Sequence, residues 1–435
     1  MKTIKIAITG LKESGKTIFI TSLINHFLVA DIKRLEALKD RSIELYGVPQ
    51  ICAGKFISFP YEVYINDFKR NPPKWPEKTV DIYEYTIKLS IKHENMVKKV
   101  KLKIVDYPGE RLLDAPMLKY NFDEWSEMVI NEAKTGKKEF LSGEWLESIN
   151  NIKTVQDAKI AAKIYQDYVY KCVENNLTHV QPALTVFKAE KKLNKIKKRI
   201  DTQNIDLDFC PIPKKIRDNN YEVYDLFNSK YKKYKKKYLK PFFKKVIKTN
   251  AIQFVLVDVL DALQGGTDKY NDLKKCIEDA IDCYRYSPLF SFCSGLFPYV
   301  KQVNFVATKA DKCAKKLREN LRYLLRELVK KAYNNINMNK HNVNNQIDYL
   351  YCASHQCTED VSDYILKGKI LNESGKSVIV EKEAQLLPKQ WPDSWEQNEF
   401  HFNDFLPVKL PKRDGATIGH IELDKIIYKI IKEVL

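Results

Sequence analysis

The tightest constraint on this chain lies in its first seventeen residues. Ile4 to Thr9 reads as a short apolar strand running directly into Gly10-Leu11-Lys12-Glu13-Ser14-Gly15-Lys16-Thr17. A helix follows at once, with Ile18, Phe19, Ile20, Leu23, Ile24, Phe27 and Leu28 at helical spacing. A G-x-x-x-x-G-K-[ST] loop between a strand and a helix is a phosphate cradle, the Walker A pattern. Gly10 and Gly15 let the backbone wrap close to phosphate oxygens, where a side chain would collide. Loop amides and the helix N-terminus supply donors and positive potential. Lys16 is expected to bridge the β- and γ-phosphates and the Thr17 hydroxyl to ligate Mg²⁺. Lys12, Glu13, Ser14 and Ile18 complete the expected phosphate-binding set.

Glycine is scarce, 14 in 435 residues, which makes a chance match in this context rare. The chain also carries a decoy, Glu373-Ser374-Gly375-Lys376-Ser377, which repeats the text of the loop. Its first-glycine position is Ile370, and Ser377-Val378-Ile379-Val380 continues as a strand, so this copy reads as a hairpin turn.

Two further motifs follow core strands. Val80–Ile91 and Val97–Val105 form an expected antiparallel hairpin, and the second strand ends in Asp106-Tyr107-Pro108-Gly109-Glu110. D-x-x-G at that place orients Mg²⁺ through Asp106 and senses the γ-phosphate through the Gly109 amide. Glu110 falls where a residue can position the attacking water; a salt bridge or a helix N-terminal charge is the alternative. Val303–Ala307 is a buried strand ending in Thr308-Lys309-Ala310-Asp311. In [NT]-K-x-D the Asp311 carboxylate accepts from both N1–H and the exocyclic amine of guanine, and Lys309 packs over the base. Adenine would face that carboxylate with a lone pair, a costly mismatch. A last core strand, Ile347–Tyr351, ends in Cys352-Ala353-Ser354, whose backbone is expected near the guanine O6. Cys352, His355 and Cys357 lie too close together to close a tetrahedral metal site.

Between these motifs, Asp31 to Ile57 looks helical and then irregular, and Pro60, Pro72, Pro73 and Pro76 break up the next stretch. Pro116 to about Lys248 reads as a helical insertion with apolar faces over Trp125–Ala133, Phe140–Ile149, Val155–Asn175 and Leu184–Ile200. Near its end, Tyr231 to Lys245 interleaves aromatics with lysines. This pattern suits stacking on bases or a lipid headgroup interface. It suits better a helix with Tyr231, Tyr234, Tyr238 and Phe242 packed inward and the lysines outward. Ala251–Val257 is an almost continuous apolar run, as in a parallel strand buried on both faces. After a helix expected from Lys312, the C-terminal part reads as packing onto the core, with Asp424 capping a helix over Lys425–Leu435.

Net charge is +18, which lysine-solvated helix faces explain, with attraction to an anionic surface as the alternative. No stretch is apolar enough to span a membrane, and nine cysteines without C-x-x-C pairs suit a reducing compartment. The P-loop sits too near the first residue to leave room for a signal peptide, so a cytoplasmic protein is expected, peripheral to the inner membrane in the membrane-binding reading.

The segments ITGLKESGKTIFITSLINHFL, VDYPGERLLDAPML, KPFFKKVIKTNAIQFVLVDVLDAL, NFVATKAD and DFLPVKLPKRDG together resemble the YcjX-like family of bacterial P-loop proteins. The switch text running on to Leu112-Leu113-Asp114 and the PKRDG block are the more family-specific parts. The resemblance implies an α/β P-loop NTPase fold of the Ras-like G-domain type: a mostly parallel sheet with one antiparallel hairpin strand and a helical insertion. It implies GTP or GDP at Gly10–Thr17, Mg²⁺ near Thr17 and Asp106, and an association with bacterial stress responses. It also makes Thr79 the candidate switch threonine, with Thr86 as alternative. The expected organisation is 1–115 and 249–360 as the two parts of the G domain, 116–248 as the insertion and 361–435 as a C-terminal extension. The expected activity is a GTPase that is slow without an activating protein or self-association, with Arg70 and Arg111 as candidate arginine fingers in cis. The alternatives are a nucleotide-gated scaffold on membrane, nucleic acid being less favoured, or an ATPase of the same fold.

Overall fold

The computed structural model describes residues 1–11, 13–50, 56–77, 81–193, 206–243, 246, 252–285, 302–336, 346–413 and 415–435. Among these, β1 (Lys2–Gly10), β2 (Ile43–Pro49), β3 (Ile57–Ser58), β4 (Tyr83–His93), β5 (Met96–Asp106), β6 (Ile252–Val257), β7 (Gln302–Ala307) and β8 (Gln346–Tyr351) form one sheet. Neighbours run β2-β4-β5-β1-β6-β7-β8, with β3 beside β4. Strands β5, β1, β6, β7 and β8 are parallel, and β4 is the antiparallel hairpin partner of β5. This is the α/β P-loop fold, with β1 and its loop in the middle of the sheet.

Both faces are covered, which is why β6 reads as an almost continuous apolar run. On β1, Ile4, Ile6 and Ile8 pack into one layer with the helices Lys16–Val29, Tyr61–Lys69 and Leu423–Ile431, while Ala7 belongs to the other. On β6 and β7, Val255, Val257, Phe305 and Ala307 turn to that second layer, where the insertion helices and Gly266–Arg285 and Arg318–Ile336 pack. All six residues of β6 and of β7 are buried.

The insertion is helical over Phe122–Glu132, Lys137–Asn150, Val155–Glu174, Ala183–Leu193 and Tyr221–Tyr234. Capping boxes open two of these helices, Asn121 with Glu124 and Thr154 with Asp157, each satisfying N–H groups that have no partner within the helix. Tyr231, Tyr234, Tyr238 and Phe242 are buried, with Trp125 stacked on Tyr231 at 5.0 Å, whereas Lys232, Lys233, Lys236 and Lys237 are exposed. The aromatics of that stretch are therefore used in packing; Lys244 and Lys245 lie outside the described residues.

Four local expectations are corrected. The stretch after the first helix contains β2, an edge strand antiparallel to β4, in which Ile43 and Leu45 alternate inward. A Cβ at Gly47 would stand 2.1 Å from the Phe27 carbonyl oxygen, so glycine lets the end of the first helix cross this strand. The proline-rich segment holds the helix Tyr61–Lys69, because Pro60 precedes it and Pro72 follows it, leaving its interior free of proline. The helix expected from Lys312 begins only at Arg318. The Arg318 guanidinium donates to the carbonyls of Ala310 and Cys313 and to Asp360, tying down the short turns before it. Finally, Glu422 (φ +61°), not Asp424, precedes the last helix, and Asp424 accepts the Ala37 N–H at 2.9 Å instead. The ESGK decoy is a hairpin turn between β10 (Ile365–Leu371) and β11 (Ser377–Glu383), with β9 (Thr358–Asp360) completing a small second sheet.

Candidate functional site

β1 delivers Gly10 to the carboxyl edge of the sheet level with Leu256 of β6, two residues beyond Ile8, which stands beside Asp106 of β5. The chain then turns with Glu13 at φ +64° and Gly15 at φ +76°, and Gly15 immediately precedes the helix Lys16–Val29. A Cβ on Gly10 would fall 2.1 Å from the Ser14 Oγ, and one on Gly109 would fall 2.8 Å from the Gly10 carbonyl oxygen. Gly109 is thus demanded by close backbone approach and lies directly against the P-loop, whereas the near neighbour at Gly10 is the Ser14 side chain. The Ser14 Oγ is buried and makes no hydrogen bond among the described residues.

The Lys16 ammonium donates to the Asp106 Oδ1 at 2.5 Å and to the Tyr107 carbonyl at 3.2 Å. Asp106 is almost wholly buried. Tyr107 is fixed in turn, its N–H on the Ile8 carbonyl and its hydroxyl on the Gln253 side chain. The 3₁₀ segment Gly109–Asp114 that follows is buried throughout. Gln181 donates to the Leu113 carbonyl, and the Asp114 carboxylate accepts the Ala183 N–H and the Tyr234 hydroxyl. The insertion therefore grips this segment from behind.

At the opposite end of the cavity, Thr308 donates to the Val257 carbonyl and Lys309 takes a left-handed turn at φ +60°. The Lys309 ammonium pairs with Asp258 at 2.5 Å; burial opposes its charge, but this carboxylate prevails and holds its pKa at about 12. Asp311 accepts the Cys357 N–H at 3.0 Å, and its carbonyl accepts the Thr358 hydroxyl at 2.5 Å. Burial raises the Asp311 pKa against the lowering effect of the Cys357 bond.

These loops enclose one cavity of about 510 Å³. Gly10, Glu13, Ser14, Gly15, Lys16, Thr17 and Ile18 line one end, Thr308, Lys309, Asp311 and Ser354 the other, and Glu110 the side. Asp106 joins the cavity through Lys16, and Gly109 through its contact with Gly10. Cys352 and Ala353 do not line it: their N–H groups go to the carbonyls of Ala307 and Ile421. Arg70 pairs with Asp67, and Arg111 lies buried over the rings of Tyr238 and Phe242; neither lines the cavity. Lys12 and Thr79 lie outside the described residues.

Several lining residues carry no motif. Trp75 precedes the expected switch threonine, Phe187 comes from the insertion, and Asp404 and Phe405 come from the C-terminal part read as packing alone. Asp404 pairs with Lys312 at 2.5 Å. His355 also lines the cavity; its Nε2 accepts the Val408 N–H at 3.0 Å, and its ring lies 4.4 Å from Phe68 and 5.5 Å from Trp75. Burial lowers its pKa to about 4, so it is neutral. Of these residues only His355 stands out in the sequence, as a ligand type beside Cys352 and Cys357, while Trp75, Phe187, Asp404 and Phe405 leave no signal there.

Comparison with known proteins follows the same lines. Two proteins named Ras-like GTPase YcjX are similar from end to end. That of Escherichia coli (strain K12) is 26% identical, covering 99% of this chain and 96% of its own length. That of Shewanella oneidensis (strain MR-1) is 25% identical, covering 99% and 94%. The family model described as YcjX-like family, DUF463, matches residues 4–435, and the chain belongs to that family.

Proposed function

We propose that this chain binds guanine nucleotide and hydrolyses GTP to GDP and phosphate. The observation that carries this reading is the single cavity faced by Lys16 at one end and Asp311 at the other, with Asp106 hydrogen-bonded to Lys16. The names of the two relatives support the same reading. The donor set at the phosphate end fits Mg²⁺: the Thr17 hydroxyl and the Asp106 carboxylate are hard oxygen ligands, and the buried Ser14 Oγ sits in a cradle that admits no Cβ. Thr17 and Asp106 would hold the ion, which when bound neutralises charge on the β- and γ-phosphates.

The chain's own residues do the rest. Lys16 exchanges the Asp106 carboxylate for phosphate oxygens and stabilises the charge that grows on them. The Gly109 amide, pressed against the P-loop, reads the γ-phosphate. Glu110, buried at the cavity wall, orients water for attack on the γ-phosphorus as the bond to the bridging oxygen breaks. Asp311 accepts from the guanine N1–H and amine, with Thr308, Lys309 and Ser354 around the base. No arginine lines the cavity among the described residues, so turnover is slow until a partner or a second copy supplies one, an effect of roughly three to five orders of magnitude. The buried aromatics of Tyr231–Phe242 give no support to a lipid- or base-stacking surface there.

Titration with fluorescent GDP and ADP tests the reading. GDP should bind at least about a hundredfold more tightly. Equal affinities would overturn the base assignment.

A further inference from the structure

A second cavity, of about 440 Å³, lies behind the loop that carries Asp311's partners. It is bounded by that loop, by β10 and by residues 408–411 and 417–419. Its charge is one-sided: Arg34, Lys367, Lys369 and Lys409 line it against the single carboxylate of Glu359. Lys367 is paired with Glu381 at 2.8 Å. The side chains of Arg34, Lys369 and Lys409, brought from three distant parts of the chain, make no hydrogen bond or ion pair among the described residues. Three unpaired cations around one concavity repel each other and concentrate positive potential inside it.

A buried histidine stands in the wall between the two cavities. Because the His355 Nε2 accepts from the Val408 N–H, its proton sits on Nδ1, and that donor is buried with no acceptor among the described residues. His355 and Cys357 line both cavities.

We infer that this cavity is a second ligand site, for a small anion carrying two or three phosphate groups. The arginine fork and two flexible lysines match phosphate oxygens, and a chain of two or three phosphates supplies at least one negative charge for each of the three unpaired cations. The site is separate from the P-loop and shares with the nucleotide cavity only the wall formed by His355 and Cys357. That wall includes the N–H that holds Asp311, so an anion bound here bears on the base-recognising end of the nucleotide site.

The test is calorimetric titration of the full chain with inorganic tripolyphosphate at about 0.15 M salt, where long-range attraction to a basic protein is screened. Three proteins are compared: the unaltered chain, Lys369→Ala with Lys409→Ala, and Lys232→Ala with Lys236→Ala as a charge-matched control. All four lysines are exposed, so each variant should fold, as circular dichroism will check. The expected result is a stoichiometry that falls by one, or an affinity that falls at least about tenfold, in the first variant only. An unchanged titration in Lys369→Ala with Lys409→Ala, or an equal loss in the control, would overturn the site. The GDP titration is read separately, because neither lysine pair lines the nucleotide cavity.

Discussion

Asp114 offers the sharpest test of how the helices after it grip the segment Gly109–Asp114. It is completely buried, and burial pushes its pKa from 3.8 to about 7, although the Tyr234 hydroxyl, the Ala183 N–H and the Arg111 charge all pull it down. A carboxyl whose folded pKa is raised stabilises the fold fully below its unfolded pKa. That contribution is lost as pH climbs to the folded value. The window therefore runs from about pH 4 to pH 7. A shift of about three units corresponds to about 4 kcal/mol. Asp114→Asn removes the titration but keeps an oxygen for the Ala183 N–H, 3.0 Å away. Denaturant unfolding of both proteins at a series of pH values measures the difference. Relative to its standing at pH 4, the variant should gain about 4 kcal/mol on the unaltered chain by pH 7.5. Two stability curves that run parallel across this window would refute the assignment of a protonated, buried carboxyl behind the switch.

Other outcomes follow from the same geometry. Asp311→Asn keeps an acceptor for the Cys357 N–H but offers guanine one acceptor in place of two, so GDP affinity should fall roughly a hundredfold while xanthosine diphosphate gains, as read by fluorescent-nucleotide competition. In the unaltered chain GDP affinity should decline on acidification from a pH above the usual carboxylate range, because the raised Asp311 must be ionised to accept twice. Gly109→Ala places a Cβ 2.8 Å from a backbone oxygen of the P-loop and should cost about 1–3 kcal/mol in thermal unfolding; an unchanged melting curve would mean the two loops do not touch. Glu110→Gln should leave GDP affinity within about twofold while single-turnover phosphate release changes at least about tenfold, since the residue is assigned to water and not to binding.

What could be read from the text were the features whose physics is local. A phosphate loop needs two glycines, a lysine and a threonine in a fixed order between a strand and a helix, so Gly10 to Thr17 announced themselves. Strands buried on both faces are mostly apolar, so β6 and β7 stood out despite Gln253, Gln302 and Asn304, as did the period of the insertion helices. The edge strand β2 did not, because an exposed edge tolerates polar residues and shows only weak alternation.

The tertiary structure alone decided who else reaches the cavity. Asp404 and Phe405 arrive from far along the chain, Phe187 from the insertion and His355 from beyond the last core strand. None sits in a pattern with its neighbours in sequence, because a pocket wall is assembled from whichever side chains the packing of distant segments brings together. The same holds for Arg34, Lys369 and Lys409, three ordinary surface residues in the text whose repulsion acquires meaning only around one concavity. Local chemistry dictated the strand–glycine loop–helix of Gly10 to Thr17; long-range packing decided what lines the cavity beside it and what grips Gly109–Asp114.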